Sequence, residues 1–111
     1  MPLYMHQWTY KNEQIKQMLL EKSDREEVVR IAVEAFGGTL QSFYYCFGKY
    51  DGVAIASYPD SDSALASVLA VSAQGRVHFV HTTTLFTAEE GLKSMRNAGD
   101  VIGATKPPAT P

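Results

Sequence analysis

The sequence predicts an α+β domain, with one antiparallel four-stranded sheet and its helices gathered on one face. Three observations carry that prediction. Residues 2–10 alternate with a period of two, as a strand does. Two β-prone runs, Phe43-Tyr44-Tyr45-Cys46-Phe47 and Val53-Ala54-Ile55-Ala56, flank a glycine-bearing link and read as a hairpin. Ser23-Asp24-Arg25-Glu26 and Thr87-Ala88-Glu89-Glu90 both have the form of a capping box, which opens a helix. At 111 residues the chain fits a single domain, large enough to bury a core without disulfides.

The first strand, 2–10, places Tyr4, His6, Trp8 and Tyr10 on one face and Leu3, Met5, Gln7 and Thr9 on the other. A short helical stretch is predicted over 13–21. In the next helix Ser23 is expected to accept from the Glu26 amide. Val28, Ile31, Ala32, Ala35 and Phe36 then form a buried stripe, with Arg25, Glu27, Arg30 and Glu34 on the wet side. Gly37-Gly38 supplies the left-handed stop. The hairpin strands are expected over 39–47 and 51–58.

Asp60 is predicted to cap a third helix, which over 63–74 carries no charge and is apolar most of the way round. Such a helix has no fully solvated face, so a second subunit is expected against it. Gly75 ends it, and a fourth strand follows over 76–86. The last helix is predicted to be short, ending near residue 97. The domain is thus read as 1–98. Residues 99–111, with three of the five prolines and no periodicity, are read as a flexible tail.

This order, two β-α-β halves, is that of a ferredoxin-like βαββαβ antiparallel sheet with helices on one face. Its strands are apolar or aromatic on both sides, so the uncovered face reads as an interaction surface, expected to take a second copy sheet to sheet. The net charge is −2 and no basic run exceeds two residues, which argues against nucleic acid or an anionic membrane as partner. No apolar run approaches the length of a membrane span. The single cysteine, Cys46, and the lack of a basic-then-apolar leader predict a cytoplasmic protein. No glycine-rich phosphate loop occurs, and no cofactor is expected.

Six residues are candidates for a cavity or ligand site: His6, Trp8, Tyr10, Tyr44, Tyr50 and Asp51. His6, beside Trp8 and Tyr10, sits on a face too aromatic for free surface and too polar for an aliphatic core. It is read either as lining a cavity that faces a partner sheet or as a hydrogen-bonded structural histidine. Asp51 is read as a base or ligand-orienting carboxylate, or simply as an acceptor for backbone amides near the turn, with Tyr50 filling core or interface. His78 and His81, three apart, point to opposite faces of a strand and close no metal site.

Over about residues 2–90 the chain resembles the GYD-domain family. The resemblance rests on Met1-Pro2-x-Tyr4, Phe36-Gly37-Gly38, Gly48-x-Tyr50-Asp51-Gly52-Val53, Pro59-Asp60, Gly75-x-Val77, and Thr82-Thr83-Thr84-Leu85 running into Phe86-Thr87-x-Glu89-Glu90. It implies a dimeric α/β barrel, in which two ferredoxin-like sheets close face to face. His6 and Gln7 depart from the aliphatic residues that the family favours there. The expectation is a homo-oligomeric barrel that binds a small, partly aromatic molecule between sheets. The alternatives are a cofactor-independent monooxygenase or isomerase using His6 or Asp51 as base, and a purely structural oligomer with a filled barrel.

Overall fold

A computed structural model describes residues 1–104. The elements run β1 (Leu3–Tyr10), α1 (Asn12–Glu21), α2 (Arg25–Ala35), β2 (Thr39–Tyr45), β3 (Gly52–Ser57), α3 (Ser61–Ala73), β4 (Val77–Leu85) and α4 (Ala88–Ala104). The four strands form one sheet in the order β2-β3-β1-β4, and every neighbouring pair is antiparallel. This is the predicted ferredoxin-like α+β arrangement. No helix among the described residues is long and apolar enough to cross a membrane.

Local chemistry sets most of the boundaries. Asp60 accepts from the Ser63 amide at 2.8 Å and opens α3. That bond also holds the Asp60 carboxyl below its ordinary pKa. Thr87 and Glu90 form the reciprocal box, the Glu90 amide donating to Thr87 Oγ1 at 3.0 Å and the Thr87 amide to Glu90 Oε1 at 2.8 Å. Helix α2 ends in a left-handed turn at Gly37 (φ +78°), where the Gly37 and Gly38 amides donate to Glu34 and Val33.

Three local expectations are corrected. The cap of α2 is Asp24, which accepts from the Glu27 amide at 3.2 Å, one residue on from the predicted Ser23. Arg25 is buried rather than wet, because it shares the i, i+4, i+8 row of Val29 and Val33 that faces the sheet. Helix α4 runs on to Ala104 instead of stopping near residue 97, so the first part of the expected tail is helical. The rest of it lies outside the described residues.

Strand β1 is central and divides the molecule. Tyr4, His6, Trp8 and Tyr10 are buried beneath the helices, while Leu3, Met5, Gln7 and Thr9 lie half-buried on the face without helices. On the covered face the large β1 side chains pair with small residues of β3: Tyr4 with Ala56, His6 with Ala54, Trp8 with Gly52. Two apolar clusters result. Tyr4, Val33, Ala56, Tyr58 and Ala64 fill one end. Trp8, Tyr10, Phe43, Ala54 and Val77 fill the other. His6 stands between them on β1.

The Trp8–Gly52 pair is tight enough to require glycine, since a Cβ on Gly52 would fall within the indole. Gly48, by contrast, has φ +158°, a conformation that residues with a Cβ rarely adopt, but a Cβ there would meet nothing within 4 Å.

Candidate functional site

Helices α2 and α3 cover the sheet without closing over one another, and a cavity of about 370 Å³ lies between them and the strands. That volume is in the range of small-molecule sites. The predicted α2 stripe of Val28, Ile31, Ala32 and Ala35 borders this gap, and Val68 and Val71 of α3 face it from the other side. Ile31, expected in the core, is 59% exposed at the rim for that reason. The floor is Trp8, Ala54, Val77 and Val80. The small Ala54 side chain, opposite His6, leaves the room that a larger residue would fill.

One wall carries a chain of polar groups, buried at His6, Tyr58 and Ser67 and reaching the surface at Thr82. His6 Nδ1 meets Thr82 Oγ1 at 2.9 Å, and His6 Nε2 meets the Tyr58 hydroxyl at 3.0 Å. The Tyr58 hydroxyl donates to Ser67 Oγ at 3.2 Å. With the phenolic proton directed to Ser67, Nε2 carries the imidazole proton and Nδ1 accepts from Thr82. Each member is supplied by a different element: His6 by β1, Thr82 by β4, Tyr58 by the residue after β3, and Ser67 by α3. Thr82 is the direct cross-strand neighbour of His6, so the sheet register itself makes the first bond.

Burial lowers the His6 pKa to about 4, so the ring is neutral at physiological pH. Burial likewise raises the Tyr58 phenol above its ordinary value, the bond to Ser67 offsetting part of the effect. His6, Tyr58 and Ser67 all line the cavity.

At the other end of β1 the cavity is lined by Tyr10 and Arg25. The guanidinium carbon of Arg25 lies 5.9 Å from the centre of the Tyr10 ring. Tyr10 also packs edge-on to Trp8, with ring centres 6.3 Å apart.

Of the six predicted residues, then, the structure brings three together in one cavity: His6, Trp8 and Tyr10. It lies between sheet and helices, so the expectation that this face looks towards a partner sheet is corrected. The helices that cross over from β1 to β2 and from β3 to β4 pack on this side of the sheet. Tyr44 and Tyr50 are on the other face. Tyr44 is exposed there opposite Val53, and the Tyr50 hydroxyl bonds His81 Nδ1 at 3.0 Å with the ring beside Phe79. Asp51 does not line the cavity. Its Oδ2 accepts from the Tyr10 amide at 2.8 Å, while its own amide donates to the Trp8 carbonyl at 2.8 Å. The carboxylate therefore extends the β1–β3 ladder by one side-chain bond, the backbone-binding alternative of the sequence reading, with the amide supplied by β1.

A family model for the GYD domain matches residues 4–95, most of the chain. The chain belongs to the GYD domain family. No curated protein shows significant similarity to it. In this GYD domain the signature residues serve the fold: Asp51 pins β1 to the hairpin, and Gly52 makes room for Trp8. Among the described residues no cluster of three His, Cys, Asp or Glu side chains is placed to hold a metal ion.

The residues that sequence reasoning missed are Tyr58, Ser67 and Arg25. Each had a signal. Tyr58 continues the period-two series Ala54, Ala56. Ser67 shares a helical face with Ala64, Val68 and Val71. Arg25 heads the row Val29, Val33.

Proposed function

We propose that this GYD domain binds a small, partly aromatic molecule in the cavity between its sheet and helices α2 and α3, and does so as a homo-oligomer. The observation that carries the reading is the combination of an apolar, partly open cavity of about 370 Å³ with the His6–Tyr58–Ser67 chain on its wall. An apolar body would replace water over the valine-rich surface, and a polar substituent would bond to the chain and fix orientation.

Binding is favoured over catalysis by the state of the candidate bases. A general base works best with a pKa near the working pH, and His6 lies at about 4 with both ring nitrogens already engaged. Asp51 is occupied by a backbone amide. The oligomeric part of the proposal is supported by the face of the sheet without helices, where Val53, Ile55, Met5 and Phe79 form an apolar surface suited to a second sheet.

Native mass spectrometry of protein purified from its own host tests both parts. The expected spectrum is a dimer or higher multiple of the 12.3 kDa chain carrying a small-molecule adduct. A bare species of monomer mass at micromolar concentration contradicts the proposal.

A further inference from the structure

Three buried side-chain polar atoms lack a hydrogen-bond partner among the described residues: Tyr10 Oη, Ser23 Oγ and Arg25 Nε. Two of them belong to the Tyr10–Arg25 pair that lines one end of the cavity, and Ser23 precedes Arg25 by two residues. Arg25 is only 9% exposed, yet the ion pairs of α2 go elsewhere, from Arg30 to Glu26 and Glu27. No aspartate or glutamate lines the cavity. A buried guanidinium without a carboxylate is costly, and natural proteins seldom keep one unless something completes it.

We propose that the molecule held in the cavity is a monocarboxylic acid with an apolar body, its carboxylate received by the Arg25 guanidinium and the Tyr10 hydroxyl. This rests on the proposed binding function and names its ligand class. Charge and shape select the carboxylate. Two arginines line the cavity, but Arg76 is exposed to solvent and only Arg25 is buried, so one negative charge balances the buried cation, whereas a phosphate monoester brings nearly two. The planar fork of a guanidinium matches the two oxygens of a carboxylate, and the phenol adds a further donor. Arg25 is also the first residue of α2, where the positive end of the helix dipole adds to the attraction. From this end the apolar floor runs along β1 to His6, four residues or roughly 13 Å away. An acid with a long hydrocarbon or arylalkyl body would thus place its far end against the His6–Tyr58–Ser67 chain.

The test uses two probes of the same shape, 6-phenylhexanoate and its primary amide, titrated calorimetrically into the full chain and into Arg25→Met. In the wild type the acid is expected to bind about tenfold or more tighter than the amide, the difference a charge-assisted pair makes over a neutral one. In Arg25→Met the two should bind alike, near the wild-type amide. The variant removes an uncompensated buried charge, so its melting temperature without ligand should equal or exceed that of the wild type. Equal binding of acid and amide by the wild type overturns the carboxylate inference and leaves the binding cavity standing. Failure of both probes to bind at millimolar concentration overturns both. If Arg25→Met does not fold, Arg25 has a structural role that this account denies, and the wild-type comparison still decides the ligand class.

Discussion

The two faces of the sheet are made by the same strands and differ in almost everything else. On the covered face β1 contributes Tyr4, His6, Trp8 and Tyr10, set against Ala56, Ala54 and Gly52 of β3, and the mismatch in size leaves a cavity under α2 and α3. On the other face Leu3, Met5, Gln7 and Thr9 lie level with Val53 and Ile55, with no helix above them. One face is a container with buried polar groups in its wall. The other is a broad, mostly apolar surface on which the contact of Tyr50 with His81 lies in the open. The proposed function assigns the first face to a ligand and the second to another copy.

Truncation should expose the contrast most strongly. Trp8→Ala, which removes the floor of the cavity and the ring packed on Phe43 at 5.9 Å, is expected to cost about 3–5 kcal/mol in urea unfolding. Tyr44→Ala, one residue along β2 from Phe43 but on the exposed face, is expected to cost under about 1 kcal/mol. Similar losses for both would erase the distinction between the faces.

Protonation separates them next. The unfolded chain protonates histidine near pH 6.5, whereas folded His6 takes up a proton only near 4. The unfolded state therefore gains the proton first as pH falls, and stability drops between about 6.5 and 4. The loss from this group is about 3 kcal/mol, complete below pH 4. Comparing urea midpoints of wild type and His6→Gln across that window should show a shallower decline in the variant. Parallel curves would mean that His6 is not held neutral by burial.

Glycine substitutions give a smaller, sharper comparison. Gly52→Ala must displace the Trp8 indole and is expected to cost about 1–3 kcal/mol. Gly48→Ala, with open space around it, should cost only about 1 kcal/mol, from its positive φ alone. Thermal melts of the two variants side by side check the ranking. If Gly48→Ala is the more damaging, the turn rather than the indole contact sets the glycine requirement of this motif.

Much of the fold was legible because its signals are local. The β1 alternation, the caps at Asp60 and Thr87 and the stop at Gly37 depend on a few neighbouring residues each. The site was legible only in part. Period-two alternation placed His6, Trp8 and Tyr10 on a common face, but parity alone does not say which face the helices cover. Tyr44 and Tyr50 share their aromatic character but belong to the other side. The charge of Arg25 points to solvent, whereas the helical row that it shares with Val29 and Val33 points to the sheet. The contacts to Tyr58 and Ser67 span 52 residues of sequence from His6 and 9 from one another. The first of these depends on strand order, which no local pattern encodes.

The ligand is proposed to bind under the helices and not on the face of the sheet that they leave uncovered. Ala32 lines the cavity and Ile55 lies on the opposite face, so Ala32→Phe fills the site while Ile55→Asp disrupts only the exposed surface. Trp8 is the single tryptophan and forms the cavity floor, so its fluorescence reports occupancy directly. Titration with 6-phenylhexanoate should shift the Trp8 emission of wild type and Ile55→Asp with similar affinity and leave that of Ala32→Phe unchanged. Binding retained by Ala32→Phe and lost in Ile55→Asp would contradict the account.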